Sequence, residues 1–396
     1  MNNPGVTVGA LAESVEGRLI GNLDVRISDV VHDSRAVAPG VLFAAIRGFK
    51  TDGHRFVDQA ISGGASAICV EEVIDDCPVP QIVVDDSRAT LGRLAAQVHG
   101  LPSSRLRVVG ITGTNGKTTV AYLLESIVAA GGLTAGRIGT TGAAIGGRQI
   151  PLPRTTPEAS DFQRLLADML VNGVDIVAAE VSSHAMALGR VEAVSFSIAA
   201  FTNLSQDHLD FHGNMDEYFA MKARLFEQRR TARAVVNVDD AYGRALADSV
   251  DVPVLEIGRD LFADEMELHE SGTRFRLVTP LGSSNVSLPL AGSFNVSNAL
   301  VAAGCAIELG LDLSTIVAGL ETVGQIPGRY ELVGSPRGFT VVIDYAHTPE
   351  GVDAVLEAAR TVGTGRLTVV LGAGGDRDQS KRPAMGRAAS AADRFI

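Results

Sequence analysis

The chain has 396 residues, 34 basic against 46 acidic for a net charge of −12, with 46% hydrophobic and 20% charged residues. That composition excludes a disordered chain, and at ~150 residues per domain the length asks for two or three domains. The acidic balance, the absence of Trp and an aromatic content of only 5% argue against a nucleic-acid binder, which needs a basic footprint or a base-stacking platform.

Cys69, Cys77 and Cys305 form no C-x-x-C pair, which fits a reducing cytoplasm and gives no zinc spacing. Residues 1–21 lack the basic stretch and long apolar run of a signal peptide. No run approaches ~18 apolar residues, so no membrane span is expected and the cytoplasm is the expected location.

In chain order, 30–48 predicts strand, turn and strand, with Ser34 in the turn. A helical pattern over 89–99 stops at Leu101-Pro102-Ser103-Ser104. Apolar β-branched runs at 106–111, 176–181, 234–238, 340–344 and 367–371 then alternate with Ala/Leu-rich helical patterns, which predicts βαβ units and parallel sheets. Another helical pattern, 313–322, stops at Ile326-Pro327-Gly328-Arg329. Pro ends a helix and Gly frees the backbone, so both stops read as boundaries and divide the chain into 1–102, 103–328 and 329–396. The last segment is shorter than the ~100 residues of a doubly wound domain. Phe395-Ile396 reads as the start of a buried strand, so the sequence is expected to be cut short at its C-terminus.

The most specific chemical signal is a phosphate loop. Val108-Val109-Gly110-Ile111 predicts a strand that runs into Thr112-Gly113-Thr114-Asn115-Gly116-Lys117-Thr118-Thr119 and then a helix over 120–130. Backbone N–H groups of such a loop cradle phosphates, Lys117 neutralises the β/γ oxygens, and the Thr118 hydroxyl suits Mg²⁺. The strict G-x-x-x-x-G-K-[ST] pattern wants Gly where Ile111 stands, so this is the shorter G-T-N-G-K-T form. Glu180 ends the apolar run 176–180, and a carboxylate at a strand's C-terminal end stands where α/β sheets bind ligands.

This loop resembles the ATP loop of the Mur ligases, the ATP-dependent amide ligases of peptidoglycan precursor synthesis. The resemblance continues through Thr155-Thr156-Pro157, Glu180-Val181-Ser182-Ser183-His184, Asn203 to Asp210, Lys222 and Phe294 to Asn298. It extends through Pro327-Gly328-Arg329, Asp344 to Pro349, Gly374 to Asp378 and Lys381-Arg382-Pro383. His32-Asp33-Ser34-Arg35 with Pro39-Gly40 matches members that carry a UDP-sugar domain at the front. Within the family the chain is similar to members that add the third amino acid to UDP-N-acetylmuramoyl-L-alanyl-D-glutamate. Their D-N-P-R type motif for the incoming amino acid is absent here. Meso-diaminopimelate is the expected amino acid and L-lysine the alternative.

The resemblance implies an α/β chain in three parts. These are a UDP-sugar-binding domain over 1–102, a P-loop-type ATPase domain with a mostly parallel sheet over 103–328, and the start of a Rossmann-like amino-acid-binding domain over 329–396. It implies ATP and Mg²⁺ as cofactors, no nucleic-acid or membrane partner, and a monomer. Gly113, Thr114, Asn115, Gly116, Lys117, Thr118 and Thr119 would hold the ATP phosphates, joined by Asn298 at adenine, Arg329, Asp344 at ribose and His347 near adenine. Thr118, Glu180, His208 and Lys222, the last as N6-carboxylysine, would hold Mg²⁺. Lys117, Lys222, Glu180 and His208 would form the catalytic set. Ser34, Thr155, Thr156, Ser182 and Arg190 would hold the UDP-muramoyl-dipeptide, and Arg377 a carboxylate of the incoming amino acid. Two alternatives remain at this stage: a related ligase of the folylpolyglutamate or D-Ala-D-Ala type, and a nucleotide-binding fragment without turnover.

Overall fold

The computed structural model describes residues 5–48, 51–334, 338–363, 365–373 and 381–396. They fall into two compact units. The first is Met1–Arg107 with Thr156–Val174 and His184–Ser195; the second is Val108–Thr155, Asp175–Ser183 and Phe196–Ile396.

The first unit is built on a five-stranded sheet in the order Arg18–Ile20, Gln81–Val83, Ala67–Val70, Val41–Ala44, Asp29–Val31. The last four strands run parallel and the first joins antiparallel. Val41–Ala44 and Ala67–Val70 are buried at every residue, as strands covered on both faces must be. One cover consists of the helices Val8–Ser14 and Ser87–Val98, through Leu11, Leu91, Leu94 and Val98. Helix Ala159–Val171 comes from far along the sequence and packs against Ser87–Val98. Its Arg164 reaches Asp29 at 2.9 Å.

The second unit holds an eight-stranded sheet. Its order is Arg148–Ile150, Gly142–Ile145, Ala135–Gly139, Ile176–Glu180, Arg107–Thr112, Ile198–Phe201, Ala234–Asn237, Val254–Ile257. The two pairings at the Arg148–Ile150 edge are antiparallel, while Ala135–Gly139 with Ile176–Glu180 and the run from Arg107–Thr112 to Val254–Ile257 pair in parallel. Helices Lys117–Ala130, Ser293–Glu308 and Leu313–Thr322 supply Leu123, Leu124, Ile127, Val301 and Ile316 to its core. A separate antiparallel sheet of Phe262–His269, Gly272–Thr279 and Gly282–Leu288 was not among the expected elements. Its signature is a period of two: Thr273, Phe275, Leu277 and Thr279 are buried in alternation along the middle strand.

Beyond residue 328, Glu331–Val333 pairs antiparallel with Val341–Ile343. Helices Pro349–Val362 and Arg382–Ala389 meet through Val352, Leu356, Met385 and Ala388. Thr368–Val369 pairs in parallel with Arg394–Phe395. The expectation of a buried strand at the end of the sequence is corrected here. The strand forms, but Phe395 and Ile396 are 49% and 56% exposed, because the ladder has a single partner strand among the described residues.

Candidate functional site

The site grows from the end of strand Arg107–Thr112, which is buried from Val108 onward. The loop that follows is fastened by the residues after strand Ile198–Phe201. The Thr114 N–H donates to the Asn203 carbonyl at 2.9 Å, the Asn115 N–H to Asn203 Oδ1 at 3.0 Å, and Thr202 Oγ1 to the Asn115 carbonyl at 2.6 Å. Gly116, at φ +88°, then opens helix Lys117–Ala130 with no side-chain cap, so the first-turn N–H groups stay available to an anion. A Cβ on Gly116 would stand 2.2 Å from Asn298 Oδ1, so only glycine lets the loop approach helix Ser293–Glu308 this closely.

Two cavities meet at this loop. The first, of about 380 Å³, is lined by Thr114, Asn115, Gly116, Lys117, Thr118, Thr155, Glu180, Ser182, His208, Lys222, Arg329 and His347, among others. The second, of about 500 Å³, is lined by Asn115, Gly116, Thr119, Asn298, Arg329 and Asp344, with Asn203 and Phe294. Arg329 belongs to both. It donates to Thr118 Oγ1 at 3.0 Å and its guanidinium lies 4.9 Å from the centre of the Tyr345 ring.

Two lysines converge on one carbonyl in the first cavity. Lys117 Nζ donates to the Gly113 carbonyl at 2.9 Å and the Thr114 carbonyl at 2.8 Å; Lys222 Nζ donates to the same Gly113 carbonyl at 2.8 Å. Burial pushes the Lys222 amine well below its usual pKa, and the charge of Lys117 adds to that. Burial lowers Lys117 as well, opposed by the attraction of Glu180. Glu180 is fully buried at the end of Ile176–Glu180 and takes the Thr140 N–H at 2.9 Å and the Thr140 hydroxyl at 3.0 Å. A Cβ on Gly139 would lie 2.1 Å from Glu180 Oε1.

A third feature was not anticipated. Asp207, its side chain 3% exposed, faces His208 Nε2 at 3.2 Å, His347 Nε2 at 3.2 Å and Lys381 Nζ at 3.0 Å. Burial alone would raise its pKa, but the His347 hydrogen bond, the two imidazoles and Lys381 outweigh it and hold the carboxyl well below the carboxylate range. Asp207 and Lys381 both sit in motifs quoted above. A carboxylate directly before a candidate ligand His, and a lysine beyond a Gly-rich loop, were the available signals. Asn203, Tyr218 and Thr140 complete the site residues that sequence reasoning passed over; Tyr218 contacts the Thr114 hydroxyl at 3.2 Å and carries Lys222 Nζ 4.5 Å from its ring centre.

Other expected residues stand apart. His347, expected near adenine, lines the first cavity, with Nδ1 at 2.9 Å from the Tyr345 carbonyl and Nε2 at 3.2 Å from Asp207 Oδ2. Asp344 lines the second cavity, but its two oxygens already accept the Tyr330 and Ala346 N–H groups, each at 2.7 Å; burial raises its pKa against those bonds. Ser34, Thr156 and Arg190 belong to the first unit. Ser34 Oγ donates to Gln59 at 3.1 Å, and Arg190 pairs with Glu158 at 3.0 Å while reaching the Thr156 carbonyl at 3.4 Å. Arg377 lies outside the described residues.

For a divalent cation, no three His, Cys, Asp or Glu side chains form a ready-made cage among the described residues. What the first cavity offers is a buried carboxylate, Glu180, and a hydroxyl, Thr118. Hard oxygen donors that leave ligand positions open for phosphate oxygens fit Mg²⁺, which completes its shell with substrate and water.

A phosphate loop at the carboxyl ends of a mostly parallel sheet, with a lysine pair and a buried carboxylate in one cavity, defines a nucleotide-dependent α/β enzyme. Comparison with known proteins narrows the class. The Mur ligase middle domain matches residues 111–306, the glutamate ligase domain of Mur ligases 328–396, and the Mur ligase family catalytic domain 26–99. A UDP-N-acetylmuramoyl-L-alanyl-D-glutamate–2,6-diaminopimelate ligase from Streptomyces coelicolor is 46% identical over 377 residues, 91% of this chain and 74% of that protein. One of the same description from Caldanaerobacter subterraneus is 43% identical over 384 residues, 96% of this chain and 79% of its own. A solved structure of a ligase so described has 29% identity and a TM-score of 0.77, covering 99% of this chain and 82% of that one. The chain belongs to the Mur ligase family.

Proposed function

We propose that the chain is an ATP-dependent amide ligase that adds meso-diaminopimelate to UDP-N-acetylmuramoyl-L-alanyl-D-glutamate in peptidoglycan synthesis. The observation that carries this reading is the first cavity, where Lys117 and Thr118 of the phosphate loop face Glu180, His208 and Lys222. The amino acid follows the relatives, which are diaminopimelate ligases by description. The three matched regions support a division into a UDP-sugar-binding part (1–102), an ATP-binding part (103–328) and an amino-acid-binding part (329–396).

In this reading the nucleotide phosphates lie on the uncapped start of helix Lys117–Ala130, with Lys117 released from its loop carbonyls to neutralise them. The base occupies the second cavity beside Asn298, whose amide offers both donor and acceptor. Arg329 leaves the Thr118 hydroxyl and turns to the phosphates. Thr155 and Ser182 hold the acceptor carboxylate in the first cavity, and Ser34, Thr156 and Arg190 hold other parts of the UDP-dipeptide. Glu180, Thr118, His208 and Lys222, once its amine is carboxylated, would hold Mg²⁺. The depressed pKa of Lys222 favours the neutral amine, the form that can take up carbon dioxide. When bound, the ion supplies the positive charge that lets a carboxylate approach a triphosphate.

The acceptor carboxylate oxygen attacks the γ-phosphorus and ADP leaves, giving an acyl phosphate. The amine of diaminopimelate then attacks the acyl carbon, phosphate leaves, and the amine loses a proton as the amide forms. Positioning and charge neutralisation supply the acceleration, as in phosphoryl transfer generally. The test is phosphate release from ATP with the UDP-dipeptide, with diaminopimelate and lysine in separate reactions. Release that needs both the dipeptide and diaminopimelate is the expected result. Release with lysine alone would reassign the amino acid, and dipeptide-independent behaviour would overturn the reading.

A further inference from the structure

The largest fully buried side chain among the described residues is a cation: Arg137, 0% exposed, in strand Ala135–Gly139. A buried charge is costly unless it is paired and bonded, so its partners indicate its purpose. Nε donates to Glu125 at 2.8 Å, Nη1 to the Thr141 hydroxyl at 2.6 Å and Nη2 to Gln149 at 3.2 Å. The guanidinium lies 3.8 Å from the centre of the Tyr122 ring, and the Tyr122 hydroxyl also donates to Thr141 Oγ1, at 3.1 Å. Tyr122 and Glu125 stand on the phosphate-loop helix Lys117–Ala130.

Thr141 belongs to a turn that carries the site. Gly139 and Gly142 face each other across an antiparallel pair, so Thr140 and Thr141 are the whole connection. Neither threonine has the positive φ of a two-residue hairpin turn; Gly142, at φ +99°, takes that backbone conformation just after them. Side-chain bonds to Thr141 then tie the turn to the phosphate-loop helix. Its neighbour Thr140 then gives its N–H and its hydroxyl to the two oxygens of Glu180, and that hydroxyl also contacts Thr155 at 3.1 Å.

We infer that Arg137 is a positioning residue that clamps the Thr140-Thr141 turn to the phosphate-loop helix and so sets where the Glu180 carboxylate stands relative to Lys117 and Thr118. The inference rests on the role proposed for Glu180. It assigns Arg137 no contact with reacting atoms; the side chain acts through Thr141, Thr140 and Glu180 in turn.

Arg137→Met would strand Glu125 and endanger the fold, so the test is made at Thr141 in the full chain. Thr141→Val removes the acceptor and keeps the shape; Thr141→Ser keeps the hydroxyl. The thermal midpoint is followed at fixed ADP while Mg²⁺ is titrated, and kcat and KM are measured alongside. Thr141→Val is expected to raise the half-saturating Mg²⁺ about 10-fold or more, as loss of a partner behind a metal-binding group does. It should lower kcat with little change in KM for ATP, and Thr141→Ser should restore both. In a Glu180→Gln background, Thr141→Val should add nothing, because effects that pass through one group do not sum. An unchanged Mg²⁺ response with only a lower melting temperature, or additive effects in the double variant, would overturn the inference. If the wild-type chain responds to Mg²⁺ but shows no dipeptide-dependent turnover, the functional reading fails while the titration still decides the role of Arg137. A wild-type chain with no Mg²⁺ response overturns both.

Discussion

Helix Ser87–Val98 in the first unit and helix Lys117–Ala130 in the second both support a parallel-rich sheet, yet they begin in opposite ways. Asp86 closes the first: one oxygen of its own carboxylate accepts the Arg88 and Ala89 N–H groups at 2.8 and 2.9 Å. Gly116 leaves the second without a side-chain cap, as Gly292 does for helix Ser293–Glu308, whose Asn298 lines the adjoining cavity. Both uncapped starts border the second cavity, beside two others that Asp240 and Thr348 cap, while Asp312, like Asp86, caps a start that lines neither cavity. A nucleotide site of this kind is a helix start that gives up local stability, typically ~1 kcal/mol, to keep its donors for a ligand.

The sharpest way to break that contrast is at the cation serving the open helix. Lys117→Ala should cut dipeptide-dependent phosphate release by about 10²- to 10³-fold, the scale for losing one transition-state charge donor. Asp86→Ala should leave the same rate unchanged. The buried thiols offer a second test, because Cys69 lies in the first unit's sheet and Cys305 in helix Ser293–Glu308. Burial raises both thiol pKa values, that of Cys69 to about 12, so only the half-buried Cys77 should react in native protein at pH 8. In mild denaturant, ADP with Mg²⁺ at ~100 times its Kd should slow labelling of Cys305 about 100-fold and leave Cys69 unaffected. Equal protection of both would show that the two units open together.

The carboxylates carry the contrast into pH dependence. Asp86 is satisfied by backbone N–H groups, whereas Asp207, besides the His208 N–H, faces two imidazoles and an ammonium. Because the folded-state pKa of Asp207 lies below the ordinary 3.8, its contribution is fully present above 3.8 and is lost as pH falls through the folded value. Urea unfolding of wild type against Asp207→Asn should show a gap of about 1.5–3 kcal/mol near pH 5, where both imidazoles carry charge, that shrinks as pH falls below roughly 4. The smallest effect belongs to the cap itself. Asp86→Ala should cost about 1 kcal/mol in the same assay, with nucleotide binding unchanged.

Much of this arrangement was legible in the sequence, and the reasons are local. Strands 106–111, 176–181 and 234–238 announce themselves as apolar runs because both faces of the sheet are covered, and all three are observed. The loop from Gly113 to Thr118 is readable because its chemistry is carried by backbone and by residues adjacent in sequence. What escaped depends on contacts distant in sequence. Arg137 looks like an exposed cation on a short strand until Tyr122, Glu125 and Gln149 close around it. Asp207 is ordinary until His347 and Lys381 arrive from far along the chain. Helix Ala159–Val171 shows an amphipathic pattern, but nothing in that pattern says it packs against Ser87–Val98.

Gly139 illustrates how a residue without a side chain can be a genetic point of failure. Its hydrogen faces Glu180 Oε1 where even a methyl group would sit 2.1 Å away. Codon 139 should therefore tolerate no replacement in a complementation screen. Surviving cells would carry glycine there, and silenced alleles would still yield full-length protein on an immunoblot. Such alleles would separate the abundance of this protein from its output.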